Sequence, residues 1–360
     1  MPIRFTILAL FLPALAAAAD PPGVVELFED DTAGLIPKLT MGGIGGGENT
    51  KIEAETADVF AGKAALRVGA PQRFNPDVKG WDFPIAKKPK AGEYRYLRFA
   101  WKKLGEGPLM VQFHTRGPKP DWYIRYHAGA ESPPWEAKVV STAAPREWSV
   151  VTRDLFTDFG AVTLGGVAFT PYVGADGLFD HILLGRTVED LDRATAAVML
   201  KTPSKEPLTS SQLQELWDRL GQADGQSADA AGWQLVRGHK EAVPFLRKTI
   251  AVPERKAPLP VDADKVKPLI AGLTHYRYLT RAAAEDELRK LGPGALPHVR
   301  KAMDEAADGD AKARLQAILD GWDARAGLDV QRLKRCATVL RAVGTPEAKE
   351  LLAKIDAAVR

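Results

Sequence analysis

The sequence predicts an all-β sandwich in the first half of the chain and an all-α helical-repeat region in the second. Three observations point there. Apolar and polar residues alternate with period two in short runs between residues 97 and 127, with Gly- and Pro-containing turns between the runs. Beyond about residue 200, Ala, Leu, Lys, Arg and Glu dominate at helical spacing. Within that second half, one string of residues is echoed by another about one long helical repeat later.

The chain opens with an export pattern. Met1 to Arg4 carries one positive charge, Phe5 to Leu15 is apolar but too short to span a bilayer, and the small residues Ala17 and Ala19 precede Asp20. Residues 1–19 are therefore expected to be a signal peptide cleaved before Asp20, with the mature chain exported to the periplasm or beyond. Pro13 opposes the alternative of a buried N-terminal helix. No later apolar run approaches about 18 residues, so no membrane span is expected after cleavage.

Residues 20–190 read as the sandwich. Leu97, Phe99 and Trp101 alternate with Arg98, Ala100 and Lys102; Leu109, Val111 and Phe113 alternate with Met110, Gln112 and His114; Trp122, Ile124 and Tyr126 alternate with Tyr123, Arg125 and His127. Period two puts each set on one sheet face, one apolar and one polar. Gly105-Glu106-Gly107-Pro108 and Gly117-Pro118-Lys119-Pro120 mark the turns, and strands at this spacing imply an antiparallel sandwich. The run Gly42-Gly43-Ile44-Gly45-Gly46-Gly47 lacks the glycine pattern and following helix of a phosphate loop and reads as a flexible loop.

Residues 191–208 are expected to be a linker, centred on Lys201-Thr202-Pro203-Ser204-Lys205-Glu206-Pro207, whose prolines and small polar residues resist packing. Residues 209–360 follow as the helical domain. Ala242-Val243-Pro244-Phe245-Leu246-Arg247-Lys248 is echoed by Ala295-Leu296-Pro297-His298-Val299-Arg300-Lys301, and Thr345-Pro346-Glu347 resembles a further helix start. A hairpin cannot bury its apolar stripe alone, so neighbours are expected to stack into a short solenoid. The proline-rich 252–260 segment is expected to be an extended connection. The one cysteine, Cys336, falls with Leu333, Leu340 and Val343 at helical spacing and belongs on a buried stripe. With a linker between them, the two halves are expected to fold independently.

Several short strings carry a family resemblance. Leu27-Phe28-Glu29-Asp30-Asp31, Ala61-Gly62-Lys63-Ala64-Ala65-Leu66-Arg67-Val68 and Phe179-Asp180-His181-Ile182-Leu183-Leu184 make the first half similar to the galactose-binding-like jelly rolls common among carbohydrate-binding modules. The second half resembles HEAT-type hairpins and the helical modules that accompany WD-repeat propellers in some bacteria. The first resemblance implies a structural calcium held by Glu29, Asp31, Asp180 and carbonyls beside Gly62, where the terminal strands of a jelly roll meet. A calcium ion takes about six to eight oxygen ligands. The competing reading gives these acids capping and turn roles. On a regular strand His181 points away from Asp180 and stays out of the shell.

Composition excludes some chemistry. The 360 residues carry 49 basic and 46 acidic side chains, and no basic run is interleaved with aromatics, so nucleic acid is not an expected partner. A single cysteine forbids an intrachain disulfide and a thiolate metal cluster. The sequence has no His-Glu-x-x-His or Gly-x-Ser-x-Gly signature, and its six histidines are scattered. Arg153-Asp154-Leu155-Phe156-Thr157-Asp158-Phe159 reads as an Arg–Asp pair in a loop anchored by two phenylalanines. The polar sheet face is the candidate ligand site. Gln112, His114 and Arg116 project together, as do Tyr123, Arg125 and His127, and planar hydrogen-bonding groups of this kind suit sugars. Trp81 and Trp135 lie in Gly- or Pro-rich loops as stacking platforms, whereas Trp101, Trp122 and Trp148 are assigned to the core. The expected function is a non-catalytic exported binding protein for carbohydrate or cell-envelope material, with the helices as a protein-contact surface. A pure interaction scaffold and a hydrolase with an unrecognised site are the alternatives.

Overall fold

A computed structural model describes residues 23–40, 50–130, 135–202, 206–250, 261–306, 309–325 and 330–359. The expected signal peptide, the glycine run and the 252–260 connection lie outside the described residues, as do residues 203–205 of the expected linker.

The first half is a sandwich of two six-stranded sheets. The first sheet holds β1 (Val24–Phe28), β2 (Ile52–Glu55), β3 (Ala65–Val68), β6 (Tyr96–Lys103), β10 (Ser149–Asp154) and β12 (Gly177–Gly185). The second holds β4 (Arg73–Asn75), β5 (Phe83–Ile85), β7 (Leu109–Arg116), β8 (Ile124–Ala128), β9 (Lys138–Ser141) and β11 (Val162–Thr170). The first sheet runs in the order β10-β6-β12-β3-β2, with β1 also on β12. The second runs β4-β11-β7-β8-β9, with β5 also on β11. All pairings are antiparallel except β8 with β9. The alternating apolar residues behave as their period dictates: Leu97, Phe99 and Trp101 meet Val111, Phe113, Tyr126, Val167 and Phe169 in one core between the sheets. Two short helices, α1 (Leu35–Thr40) and α2 (Leu155–Phe159), lie at the sandwich ends.

The chain does not pass into a linker after β12. Residues 191–201 belong to α3 (Val188–Lys201), which corrects the expected 191–208 boundary. Thr187 caps the helix by accepting from Asp190 N, and Glu189 and Asp190 sit in the first turn, where the helix dipole favours negative charge. Leu191, Thr195, Ala196 and Met199 then form a buried stripe. The proline-bearing stretch that suggested a linker begins only where this helix ends.

Helices α4 (Ser210–Leu220), α5 (Gly225–Arg237) and α6 (His239–Thr249) follow, then α7 (Ala263–Gly272), α8 (Tyr278–Leu291), α9 (Leu296–Glu305), α10 (Gly309–Arg325), α11 (Val330–Val343) and α12 (Pro346–Val359). Helix α5 is central. It buries Ala228, Ala230, Ala231, Gly232, Trp233, Leu235 and Val236, and its small residues let neighbouring helices approach closely. Its core is continuous with the outer face of the first sheet: Phe60, Ala65, Ala100, Trp148, Val150 and Leu178 share one cluster with Met199, Leu216, Trp233, Leu246, Leu340 and Leu351. Polar ties reinforce the seam. Ser149 Oγ on β10 donates to Gln226 Oε1 at 3.1 Å, and Arg237 Nη1 donates to Phe60 O at 3.4 Å. Independent folding of the two halves is therefore not what this packing supports, because separating them at Thr202 cuts through a single core.

The helices also depart from a linear stack. Residues of α7, α8, α9 and α10 close their own core around Val266, Leu288, Val299, Ile318 and Trp322, and α11 then returns to pack on α5. The two echoed strings lie in α6 and α9, in different cores. Cys336 is buried on α11, on the stripe its spacing indicates. Among the described residues no helix is long and apolar enough to cross a membrane.

Candidate functional site

The outer face of the second sheet is left open by the helices and carries a shallow cleft. Gln72, Phe74, Gln112, Trp122, Arg125, Trp135 and Ala168 line a space of about 230 Å³. Strand register explains why these residues meet. Gln112 on β7 stands opposite Arg125 on β8 and opposite Ala168 on β11, and Ala168 stands opposite Phe74 on β4. Alternation puts the row on one face.

Polar groups of the cleft form a directed chain. Arg125 Nε donates to Gln112 Oε1 at 2.9 Å, Gln112 Nε2 donates to Thr170 Oγ1 at 2.9 Å, and Thr170 Oγ1 donates to Gln72 Oε1 at 3.2 Å. A guanidinium can only donate, so Arg125 fixes which way both amides face. Arg125 Nη1 also donates to Glu136 O at 3.3 Å, and the guanidinium lies 5.7 Å from the Trp135 ring centroid. Burial lowers the Arg125 pKa without removing its charge.

Aromatic rings flank this polar row. Trp122 packs edge-on against Phe74 at 5.7 Å and against the His114 imidazole at 4.9 Å. Trp135, 44% exposed, lies 6.4 Å from Tyr172. Large flat faces beside planar hydrogen-bonding groups suit the apolar face and hydroxyl edge of a pyranose ring.

Of the eight residues expected to bind ligand, Gln112, Arg125 and Trp135 line the cleft. His114 backs Trp122, and burial holds its pKa low. His127 is only 1% exposed beneath Tyr172, and burial keeps it neutral. Arg116 is engaged by Trp81 O and Asp77 at the sheet end. Tyr123 packs on Phe159 away from the cleft. Trp81 is a core residue, 5% exposed, packed on Phe83 rather than offered as a platform.

Trp122, assigned to the core by alternation, is instead a cleft wall. The β7–β8 ladder ends at Phe113 and Ile124, and Thr115 N then donates to Asp121 O, one residue out of register. That slip turns Trp122 to the outer face. Gln72, Phe74 and Thr170 were also missed. Phe74 lies in a three-residue strand too short to show a period, and only the sheet order brings it beside β7.

The acids expected to hold calcium do not form one shell. On one side of β12, β3 pairs with residues 177–179 and β1 with residues 182–185, and a bulge falls between Asp180 and Leu183. Asp180 there accepts from Phe60 N at 2.9 Å, Ala61 N at 3.1 Å and His181 N at 2.8 Å. Asp31 Oδ1 accepts from Ile36 N at the start of α1, a capping role. Asp30 accepts from Lys63 N and Ala64 N. Glu29 Oε2 meets His181 Nδ1, and Glu29 Oε1, next to Gly62, is buried without a hydrogen bond. Asp180 and Asp31 are engaged by backbone N–H donors, Glu29 faces the His181 ring, and no group of three or more metal-ligating side chains occurs among the described residues. The set does not fit a calcium ion needing about six oxygens or more. His181 belongs to this cluster after all, because the bulge gives it φ +51° and overrides strand alternation.

The cluster continues into α3. His181 Nε2 meets Thr195 Oγ1 at 2.9 Å; Arg98 Nη1 donates to the same oxygen at 3.0 Å and Arg98 Nη2 to Asp192 at 2.7 Å. Burial first, then Asp30 and Glu26, pushes Glu29 up to about 8; burial, then Arg98, pushes His181 down to about 3. Burial and Glu29 raise Asp180 well above the usual carboxylate range. Elsewhere Arg153 grips Asp158 through two bonds of 2.8 and 2.7 Å, and Asp154 caps α2, so that string is a structural pair and cap.

No protein-family model and no curated protein matches the sequence. Among solved structures the chain is similar to the family 11 carbohydrate-binding module from Clostridium thermocellum in complex with a β-1,3-1,4-mixed-linked tetrasaccharide, at 9% identity and a TM-score of 0.23, over 38% of this chain and 84% of that one. It is also similar to the CBM22-1–GH10 modules of xylanase 10B from Clostridium thermocellum complexed with xylohexaose, at 9% identity and a TM-score of 0.22, over 83% of this chain and 84% of that one. An exo-β-agarase overlaps 48% of this chain at 10% identity and a TM-score of 0.22, with 27% of its own length covered. Likenesses this slight carry nothing about function.

Proposed function

We propose that this chain is a non-catalytic carbohydrate-binding protein whose ligand lies across the outer face of the second sheet. The observation that carries this reading is the pairing of Trp122 and Trp135 around the Arg125–Gln112–Thr170–Gln72 row in one open cleft. Stacking surfaces give affinity and the fixed polar row gives orientation. A binding rather than hydrolytic role is supported by the cleft lining, which includes no Asp or Glu, whereas most glycosidases need two carboxylates astride the bond. An exported setting is supported by the signal-like pattern of residues 1–19.

The test is a glycan array probed with the full chain, followed by titration of the strongest ligand. Wild type is expected to bind, and Trp122→Ala with Trp135→Ala is expected to weaken binding by about tenfold or more, equivalent to about 1.4 kcal/mol. Binding unaffected by both substitutions would move the site elsewhere, and no binding on the array would refute the reading.

A further inference from the structure

We propose that the cleft selects an acidic saccharide, one whose carboxylate or sulfate group is received by Arg125. This rests on the carbohydrate reading above and adds the ligand's charge. Two independent features of the cleft carry it: the direction of its hydrogen bonds and an arginine without an ion pair among the described residues.

The hydrogen-bond direction comes from Arg125. Because its guanidinium only donates, Gln112 must turn Oε1 toward it and Nε2 toward Thr170. The Thr170 hydroxyl, having accepted from Gln112, passes its hydrogen to Gln72 Oε1. Both amide oxygens thus already accept one hydrogen bond inside the row. What the side chains still offer to a ligand is mainly donors: Arg125 Nη2, Gln72 Nε2 and the indole N–H groups of Trp122 and Trp135, for none of which the described residues provide a partner, against one further lone pair on each amide oxygen. A neutral sugar hydroxyl brings a hydrogen that needs an acceptor, and acceptors are the minority in this lining. A carboxylate or sulfate brings only acceptors.

The charge argument points the same way. Arg67, Arg95, Arg98, Arg116, Arg146 and Arg153 of the sandwich each hold a carboxylate. Arg125 makes no ion pair among the described residues; its two hydrogen bonds go to a neutral amide and a backbone carbonyl. None of the described residues lining the cleft is acidic, and Asp121 and Glu136 act on Arg125 through space without pairing with it. A half-buried guanidinium held by a fixed amide, with its Nη2 open and a tryptophan beside it, can receive an anion through a charge-assisted hydrogen bond.

Isothermal titration of the full chain against matched pairs of oligosaccharides tests this. One arm compares hexagalacturonate with the same hexamer reduced to neutral galactose units. The other compares a sulfated galactan hexasaccharide with its desulfated form. At least one acidic member is expected to bind about tenfold or more tighter than its neutral counterpart, with the margin shrinking as salt rises. Arg125→Gln is expected to bring the acidic ligand down to the neutral one's affinity, and Arg125→Lys to keep part of the preference. The arm that shows the preference tells carboxylate from sulfate. Neutral ligands bound as tightly as acidic ones would overturn the proposal and leave carbohydrate binding standing. So would an acidic preference unchanged in Arg125→Gln. No binding in either arm would overturn both.

Discussion

The proton between Glu29 and His181 gives the stability of this molecule one source of pH dependence. Thr195 gives its one hydroxyl hydrogen to Leu191 O, and Arg98 can only donate to it, so His181 must carry hydrogen on Nε2. Its Nδ1 then accepts, and the proton facing it belongs to the Glu29 carboxyl. Unfolded, the acid ionises above about 4.5, while in the fold it holds its proton to about 8, so stability falls as pH rises through that window. The imidazole acts oppositely. Its pKa drops from 6.5 to about 3 on folding, so its contribution is complete above 6.5 and is lost as pH falls toward 3. The two slopes cancel between about 4.5 and 6.5, and above 6.5 only the acid's remains. The loss from there to about pH 8 is on the order of 2 kcal/mol. The raised pKa of Asp180 adds to the same direction. Glu29→Gln keeps a donor to Nδ1 and removes the ionisable group, so its melting temperature is expected to change less than that of wild type between pH 6.5 and 8. An undiminished slope would mean that the proton does not sit on Glu29.

Among the elements, those with enough residues to display a period were legible and those set by a local break were not. The runs in β6, β7 and β8 announced the sandwich because those of β6 and β7 place three apolar residues on the inner face and that of β8 places Ile124 and Tyr126 there. Arg125 and Gln112 could be named as partners from the same alternation. The register slip at Asp121 and the bulge at His181 depend on backbone pairing, which sequence period does not carry, and these two breaks decided where Trp122 and His181 point. Helix α3 is a different kind of miss. Its cap at Thr187, the acids after it and the spacing of Leu191, Thr195 and Met199 are all helix signals, overshadowed by the prolines just beyond. The small outer residues Ala65, Ala100 and Leu178 gave no separate sign that helices would cover that face.

Over the whole molecule, the helices and the sandwich share one core on one side and leave the second sheet open on the other. Trp233 lies in the shared core and within 5.5 Å of the Arg98 guanidinium carbon, so it touches both halves. Trp233→Ala is expected to cost about 3–5 kcal/mol and to lower a single melting transition seen in both the near-ultraviolet and helical signals. Two separate transitions, with the sandwich unaffected, would show that the halves are independent after all. A chain ending at Thr202 would bare Phe60, Ala65, Ala100 and Val150 to water, which explains why a boundary that looked natural in the sequence is not one in the fold. The same arrangement leaves the Trp122–Trp135 cleft on the face away from this seam, free to meet a polymer. Hydrogen exchange of the full chain, with and without the oligosaccharide it binds most tightly, tests that claim most directly. Slowed exchange is predicted in β7, β8 and β11 around Gln112, Arg125 and Ala168, with the helices unchanged; protection confined to the helices, or none at all, would contradict it.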